Sequence, residues 1–231
     1  MASELPVGEV VEGWAPRPGA ERIGLEGRHV TLKPLTSAHF ADLYDATCGN
    51  PGDAERWTYL PAEMPGSRQA LWMLLAGTLE VEPATFAVVP HAGPRAGRPA
   101  GFLSLMNVVP AHGSMEVGGI CLGADLQRTT AATEAIHLLQ SYAFDELGYR
   151  RFEWKCNALN APSRRAAERF GFAYEGTFRN HLVVKGRNRD TAWFSITDAE
   201  WPAIRRTQEA WLAPENFDAD GRQRQSLSSF A

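Results

Sequence analysis

Cysteine is scarce in this chain of 231 residues: there are three, Cys48, Cys121 and Cys156, far apart and odd in number. That pattern gives neither a disulfide framework nor a paired-thiol metal motif. The six histidines show no ligand spacing either, so no metal is expected. No apolar run approaches the ~20 residues of a membrane span, and no membrane partner is expected. Cations are not in surplus: 23 Lys and Arg stand against 27 Asp and Glu, a net charge of −4. A dedicated nucleic-acid binder would show a basic face, so nucleic acid is not the expected partner, although a local basic pocket remains open. The opening MASELPVGEVVEGW lacks the basic-then-apolar order of a secretory signal. With cysteines that read as reduced core residues, the expected location is the cytoplasm. What is present is an apolar fraction of 44%, enough for a sizeable core in one large soluble domain or two small ones.

The most informative stretch is Leu122 to Leu147, LGADLQRTTAATEAIHLLQSYAFDEL. It reads as a strand end, a short polar turn and a long amphipathic helix with Ala132, Ala135 or Ile136, Leu139, Ala143 and Leu147 along one face. The turn Gln127-Arg128-Thr129-Thr130 has no carboxylate and ends on two hydroxyl residues suited to capping. Ala131 and Ala132 then leave the first free backbone N–H groups uncovered, at the positive end of the helix dipole. Such a helix start suits a phosphate or pyrophosphate, with Arg128 adding charge, but an ordinary capped helix fits the same residues.

Around this stretch the chain divides into an N-terminal arm over 1–24, rich in Gly, Pro and charge, a domain over 25–212, and a polar tail over 213–231 expected to be mobile. Arg28 to Leu35 alternates as a strand. Ser37 opens one helix and Ser67 caps a second, with the loop Arg56 to Pro65 between them carrying Trp57 and Tyr59. Three strands follow, Ala84 to Val89, Ala100 to Val109 and Ser114 to Leu122. The adjacent Gly118 and Gly119 in the last suggest a bulge or a close backbone approach. After the helix, Arg151 to Cys156 alternates fully, and a strand that follows a helical crossover is expected to run parallel to Ser114 to Leu122. Asn160 caps the next helix and Gly171 ends it. A long hairpin, Phe172 to Val184 and Thr191 to Thr197, turns around residues 185–190, and Asp198 caps a last helix to about Leu212.

This order of elements, with the turn QRTTAA and the later NAPSRRAAERFGF, resembles the GCN5-related N-acetyltransferase (GNAT) superfamily, and within it the ribosomal-protein N-terminal acetyltransferase branch. The resemblance covers roughly Gly27 to Trp201. It implies an α/β (α+β) fold: one domain with a mixed central sheet of about seven strands, helices on both faces, and a splayed pair of parallel strands holding CoA. It also implies transfer of acetyl from acetyl-CoA to a primary amine, a protein N-terminus or a small molecule, by direct attack. A non-catalytic acyl-CoA-binding module acting through a partner is the alternative. Thr130 stands where the family turn has its first glycine, and Ala167 stands where many members carry a tyrosine acid.

Carried over residue by residue, the resemblance assigns CoA binding to Cys121, Leu122, Gln127, Arg128, Thr129, Thr130, Ala131, Ala132, Thr133, Asn160, Ser163 and Arg165. Glu116, on the strand before the glycines, is the candidate base, and a solvent-facing strand glutamate is its plain reading. Ser163 is the candidate contact to the leaving sulfur, or a first-turn helix residue satisfying an amide. Trp57, Tyr59, Glu116 and Arg179 are the candidate acceptor-binding residues, with packing as the plain reading of the aromatics. The hairpin carrying Arg179 borders the acceptor or a dimer interface in the family, so a homodimer is open.

Overall fold

The computed structural model describes residues 5–81 and 84–230. The first four residues of the expected arm and the last of the tail lie outside them. Among the described residues eight strands form one sheet: β1 (Leu25–Glu26), β2 (Val30–Pro34), β3 (Thr85–Pro90), β4 (Gly101–Val109), β5 (Ser114–Leu122), β6 (Arg151–Asn157), β7 (Ala173–Val184) and β8 (Arg187–Thr197). Their spatial order is β1-β2-β3-β4-β5-β6-β8-β7. The additional strand relative to the expected seven is the two-residue β1, paired to β2 from Leu25↔Leu32 to Glu26↔Thr31. Six α-helices among the described residues accompany the sheet: α1 (Phe40–Thr47), α2 (Ala54–Trp57), α3 (Arg68–Val81), α4 (Thr130–Ser141), α5 (Ala161–Arg169) and α6 (Trp201–Leu212).

Two cores sit on opposite faces of the sheet. On one, Leu139, Ile136 and Ala135 of α4 and Trp201 of α6 pack on Phe86, Leu103, Val117, Phe152 and Phe194. On the other, Leu43 of α1 and Leu71 and Leu75 of α3 pack on Ala87 and Phe102. Alternating side chains feed both layers, as a sheet covered on both faces requires. β5 breaks its own alternation. Met115 and Val117 face the α4 core, yet Cys121, of the same parity, faces the α1–α3 core. The register with β4 shifts between Phe102 and Ser104, opposite Gly118 to Cys121, and Gly119 takes φ of 58°. The bulge read from the glycine pair therefore reverses the strand's faces.

β5 and β6 are parallel and paired only from Ser114↔Arg151 to Val117↔Trp154. Beyond that point β5 stays with β4, ending at Gly101↔Leu122, while β6 stays with β8, ending at Asn157↔Thr191. The two strands part, and a wedge opens between them. α4 starts directly beyond one limb and α5 beyond the other.

Four sequence expectations change. The expected 56–65 loop begins in α2, and Trp57 is 2% exposed, its indole N–H donating to Thr47 O at 2.9 Å. The hairpin turn is two residues, Lys185 (φ 52°) and Gly186 (φ 70°), with Val184 paired to Arg187. A two-residue turn with both φ positive matches the strand twist, so β8 begins four residues earlier than the pattern suggested. The last helix is preceded by Glu200 rather than capped by Asp198, because Glu200 Oε2 takes Thr197 N at 2.8 Å. Finally, the polar tail is folded. Phe217 pairs with Gln223 and packs edge-on to Trp211, while Leu227 is buried. Asn216 Nδ2 donates to Trp211 O at 2.9 Å and Gln225 O at 3.2 Å. The arm also docks, its Trp14 indole donating to Ala111 O at 3.1 Å and Pro18 O accepting from Tyr149 at 2.9 Å.

Candidate active site

A cleft of 1910 Å³ follows the wedge, from Glu116 and Gly118 past the start of α4 to the C-terminal segment. At its outer limb Thr129 adopts an extended conformation and its Oγ accepts from Ala132 N at 3.1 Å, a true helix cap. The amides of Thr130 and Ala131 have no backbone partner among the described residues. Arg128 holds φ at 61°, in the left-handed region unfavourable for a side-chain-bearing residue. That backbone turns successive amides to one side, the arrangement that cradles anions. Gln127, Arg128, Thr129, Thr130, Ala132 and Thr133 line the cleft. The Ala131 side chain instead enters the α4 core, so only its backbone remains at the site. Leu122, Cys121, Asn160, Ser163 and Arg165 line the cleft too. Burial pushes the Cys121 thiol far up, which keeps it a neutral packing group.

At the inner end Glu116 is 6% exposed. Its Oε2 accepts from Asn107 Nδ2 at 2.7 Å and from Lys155 Nζ at 2.8 Å. Asn107 sits in the left-handed region at φ 47°, inside an irregular stretch of β4, and so brings its amide to the carboxylate. Lys155 also pairs with Glu153 at 2.8 Å and lies 4.0 Å over the Trp193 ring. The buried charge is therefore matched, as burial demands. Glu116 Oε1 accepts no hydrogen bond among the described residues and points at Gly118. A Cβ on Gly118 would stand 3.2 Å from it and 2.6 Å from Met106 Sδ. One carboxylate oxygen is thus anchored and the other is free at the floor of the wedge.

Across the wedge, Asn160 Oδ1 accepts from Ser163 N at 3.1 Å, capping α5. Trp154 Nε1 donates to Ser163 Oγ at 3.0 Å. An acceptor lone pair of the hydroxyl is filled, which leaves its O–H as a donor. The Cys156 sulfur stands beside the same hydroxyl; burial raises its thiol and the hydroxyl works against that rise.

Of the expected acceptor residues, Tyr59 lines the cleft and its hydroxyl donates to Leu159 O at 3.3 Å. Trp57 stands apart as a core residue, its carbonyl accepting from Lys185 Nζ at 2.7 Å. Arg179 is exposed on β7 and does not line the cleft. The partners of Glu116, the tryptophan behind Ser163 and the tail residues on the cleft wall carried no sequence signal. Each lies in contact only through the fold.

These features define a class: single α/β domains with a mixed sheet in which two parallel strands part and the next helix starts beyond the gap. The family model for the acetyltransferase (GNAT) domain matches residues 29–173. The chain belongs to that family. It is 47% identical to a GCN5-related N-acetyltransferase of Brucella melitensis of known crystal structure, covering 95% of this chain and 99% of that one, with a TM-score of 0.91. A GNAT-family structure from Chromobacterium violaceum is 39% identical over 87% of this chain and all of that one, with a TM-score of 0.77. A Bacillus subtilis protein named as a candidate ribosomal N-acetyltransferase, YdaF, is 31% identical over 105 residues, 46% of this chain and 57% of that relative. The chain thus spans little more than half the length of that relative.

Proposed function

We propose that this protein is an N-acetyltransferase that moves acetyl from acetyl-CoA to a primary amine by direct attack. The observation that carries this reading is the parting of β5 and β6 after Val117 and Trp154, with a free carboxylate oxygen on one side and a donor hydroxyl on the other. The residues fit the donor. The Thr130 and Ala131 amides and Arg128 suit its pyrophosphate, and the wedge takes its extended arm. Acetyl-CoA supplies the activated acetyl thioester; the protein supplies position and proton transfer. Glu116 Oε1 receives a proton from the incoming ammonium, directly or through one water, while Lys155 and Asn107 fix the carboxylate by its other oxygen. Ser163, held by Asn160 and Trp154, donates a hydrogen bond to the departing sulfur. Holding both substrates in one wedge supplies much of the acceleration.

For the acceptor, a protein N-terminus is the first reading, supported by the ribosomal name of the Bacillus subtilis relative. The test is release of free thiol from acetyl-CoA against a panel of peptides with free N-termini, aminoglycosides and polyamines. At least one acceptor should give saturable release with a matching mass gain of one acetyl group. Tight binding of acetyl-CoA with no release for any acceptor would show a binding module in place of an enzyme. Release with small amines alone would move the acceptor away from protein N-termini.

A further inference from the structure

The cleft does not stop at the phosphate-type turn. Past it, the wall is made by the end of α5, by α6 and by the C-terminal segment that the family match leaves out. Arg169, the last residue of α5, donates from Nη1 to Thr133 Oγ at 3.0 Å, which sets its guanidinium against the first turn of α4. The same group lies over the Trp211 ring at 5.1 Å. Arg128, Arg165 and Arg169 all line this part of the cleft, and none has a carboxylate within ion-pair distance among the described residues. Arg222 faces them from the tail, with only the exposed Asp220 at 3.6 Å. In a chain of net charge −4, this is a local excess of cations. It is gathered at the positive end of a helix dipole, where cations are unfavourable on their own. The arrangement is balanced when a multiply charged anion lies among them.

The opposing wall is built, not loose. Trp211 Nε1 donates to Gln223 Oε1 at 2.9 Å, and Asn216 ties the segment to the end of α6. Thr207 Oγ holds Phe230 O at 3.1 Å. Aromatic rings at Trp211 and Phe217 give that wall flat surfaces.

We propose that Arg169 and the folded C-terminal segment form the receptor for the nucleotide end of the acyl donor, and that Arg169 recognises its ribose 3′-phosphate. The proposal rests on the acyl-CoA reading above. The turn at 127–132 takes the pyrophosphate, and the cations one step further along the cleft take the remaining phosphate. The half-buried Phe217 then offers its ring to the base, while the buried Trp211 backs Arg169.

The test is calorimetric titration of the full chain with CoA and with dephospho-CoA, which lacks only the 3′-phosphate; no turnover is involved. The wild type should bind CoA at least tenfold more tightly. Arg169→Gln should cut that ratio to about twofold and leave dephospho-CoA affinity unchanged, while Arg169→Lys should restore part of it. The wild-type preference should also shrink as salt rises. Equal affinities of the wild type for the two ligands overturn the proposal without any variant and leave the acyl-CoA reading standing. Equal weakening of both ligands by Arg169→Gln assigns that arginine to packing and overturns the proposal too. Failure of the wild type to bind either ligand overturns both readings. Should Arg169→Gln melt well below the wild type, Arg222→Gln on the facing segment replaces it, with the same ratio as the readout.

Discussion

Glu116 and Ser163 face each other across the wedge with different supports, and the difference separates their roles. Glu116 keeps one oxygen on Lys155 and Asn107 and the other free beside Gly118. Glu116→Gln keeps the shape and removes the proton acceptor, so kcat/KM at neutral pH should fall by roughly 10²-fold or more. Part of the loss should return at high pH, where the amine arrives deprotonated. Ser163→Ala should cost activity at every pH, and the deficit should shrink with a donor whose thiol is more acidic. Two pH–rate profiles on folded variants decide it. A near-normal rate for Glu116→Gln at pH 7 removes it as the base, and identical pH-independent losses reduce both residues to positioning. A second residue-scale expectation concerns Thr130. An aspartate there would set a carboxylate among the free amides of the α4 start, and CoA affinity should drop at least tenfold, about 1.4 kcal/mol. Unchanged affinity by calorimetry would place the anion elsewhere. Glu175 offers an acid test. Arg151 holds it bidentately at 2.7 and 2.6 Å and Ser195 Oγ donates at 2.7 Å, which takes its carboxyl down to about 2. A group depressed on folding stabilises above its unfolded value and loses that contribution as pH falls through the folded one. The urea midpoint difference between wild type and Glu175→Gln should therefore be full above about pH 5 and fade between pH 4.5 and 2. A difference constant down to pH 2 would mean that the ion pair is not maintained in solution. What the sequence made legible at this scale was the residue type at each wedge position. It could not show that Lys155 and Asn107 meet on Glu116, because those contacts exist only after β4, β5 and β6 are side by side.

At the scale of elements, periodicity and caps did most of the reading. β6 alternates buried and half-buried along its whole length, and Asn160, Thr129 and Ser67 cap as their residue types suggest. The misreadings have physical causes. Lys185 in the left-handed region hid a two-residue turn, since that conformation is expected of Gly or Asn rather than Lys. Polar composition hid the folded tail, where a few residues, Phe217, Asn216 and Leu227, supply the packing. One element contact has a sharp consequence. Glu134, in the second turn of α4 and on its buried face, accepts from Arg28 N at 2.9 Å and His29 N at 2.5 Å, closing the β1–β2 hairpin. Glu134→Ala leaves two amides without partners and should cost about 1–3 kcal/mol in denaturant unfolding. Glu134→Gln, which keeps an acceptor oxygen, should cost less. Equal losses for the two variants would point to packing against Gly27 rather than to the amide contacts.

Across the whole molecule, the cleft and the terminal arm occupy separate regions. The arm crosses the turn before β5 and the segment after α4: Arg17 N donates to Pro110 O at 3.0 Å, and Glu21 N to the Tyr142 hydroxyl at 3.0 Å. Trp14 Nε1 reaches Ala111 O, and Arg17 stacks 4.7 Å over the Trp14 ring. None of the described arm residues lines the cleft. Removing residues 1–24 should therefore act on stability and spare the site. The five hydrogen bonds lost among the described residues, at about 0.5 kcal/mol each for such partly exposed contacts, amount to roughly 2–3 kcal/mol. In a chain of this size that corresponds to a fall in Tm of roughly 5–10 °C. CoA affinity below the lowered Tm should stay within about twofold of the full chain. Differential scanning calorimetry and calorimetric titration on the same preparation read both quantities. An unchanged Tm would show that the arm contacts are not populated in solution. A loss of CoA affinity along with stability would show that the turn before β5, and with it Glu116 and the glycine bulge, depends on the arm for its position.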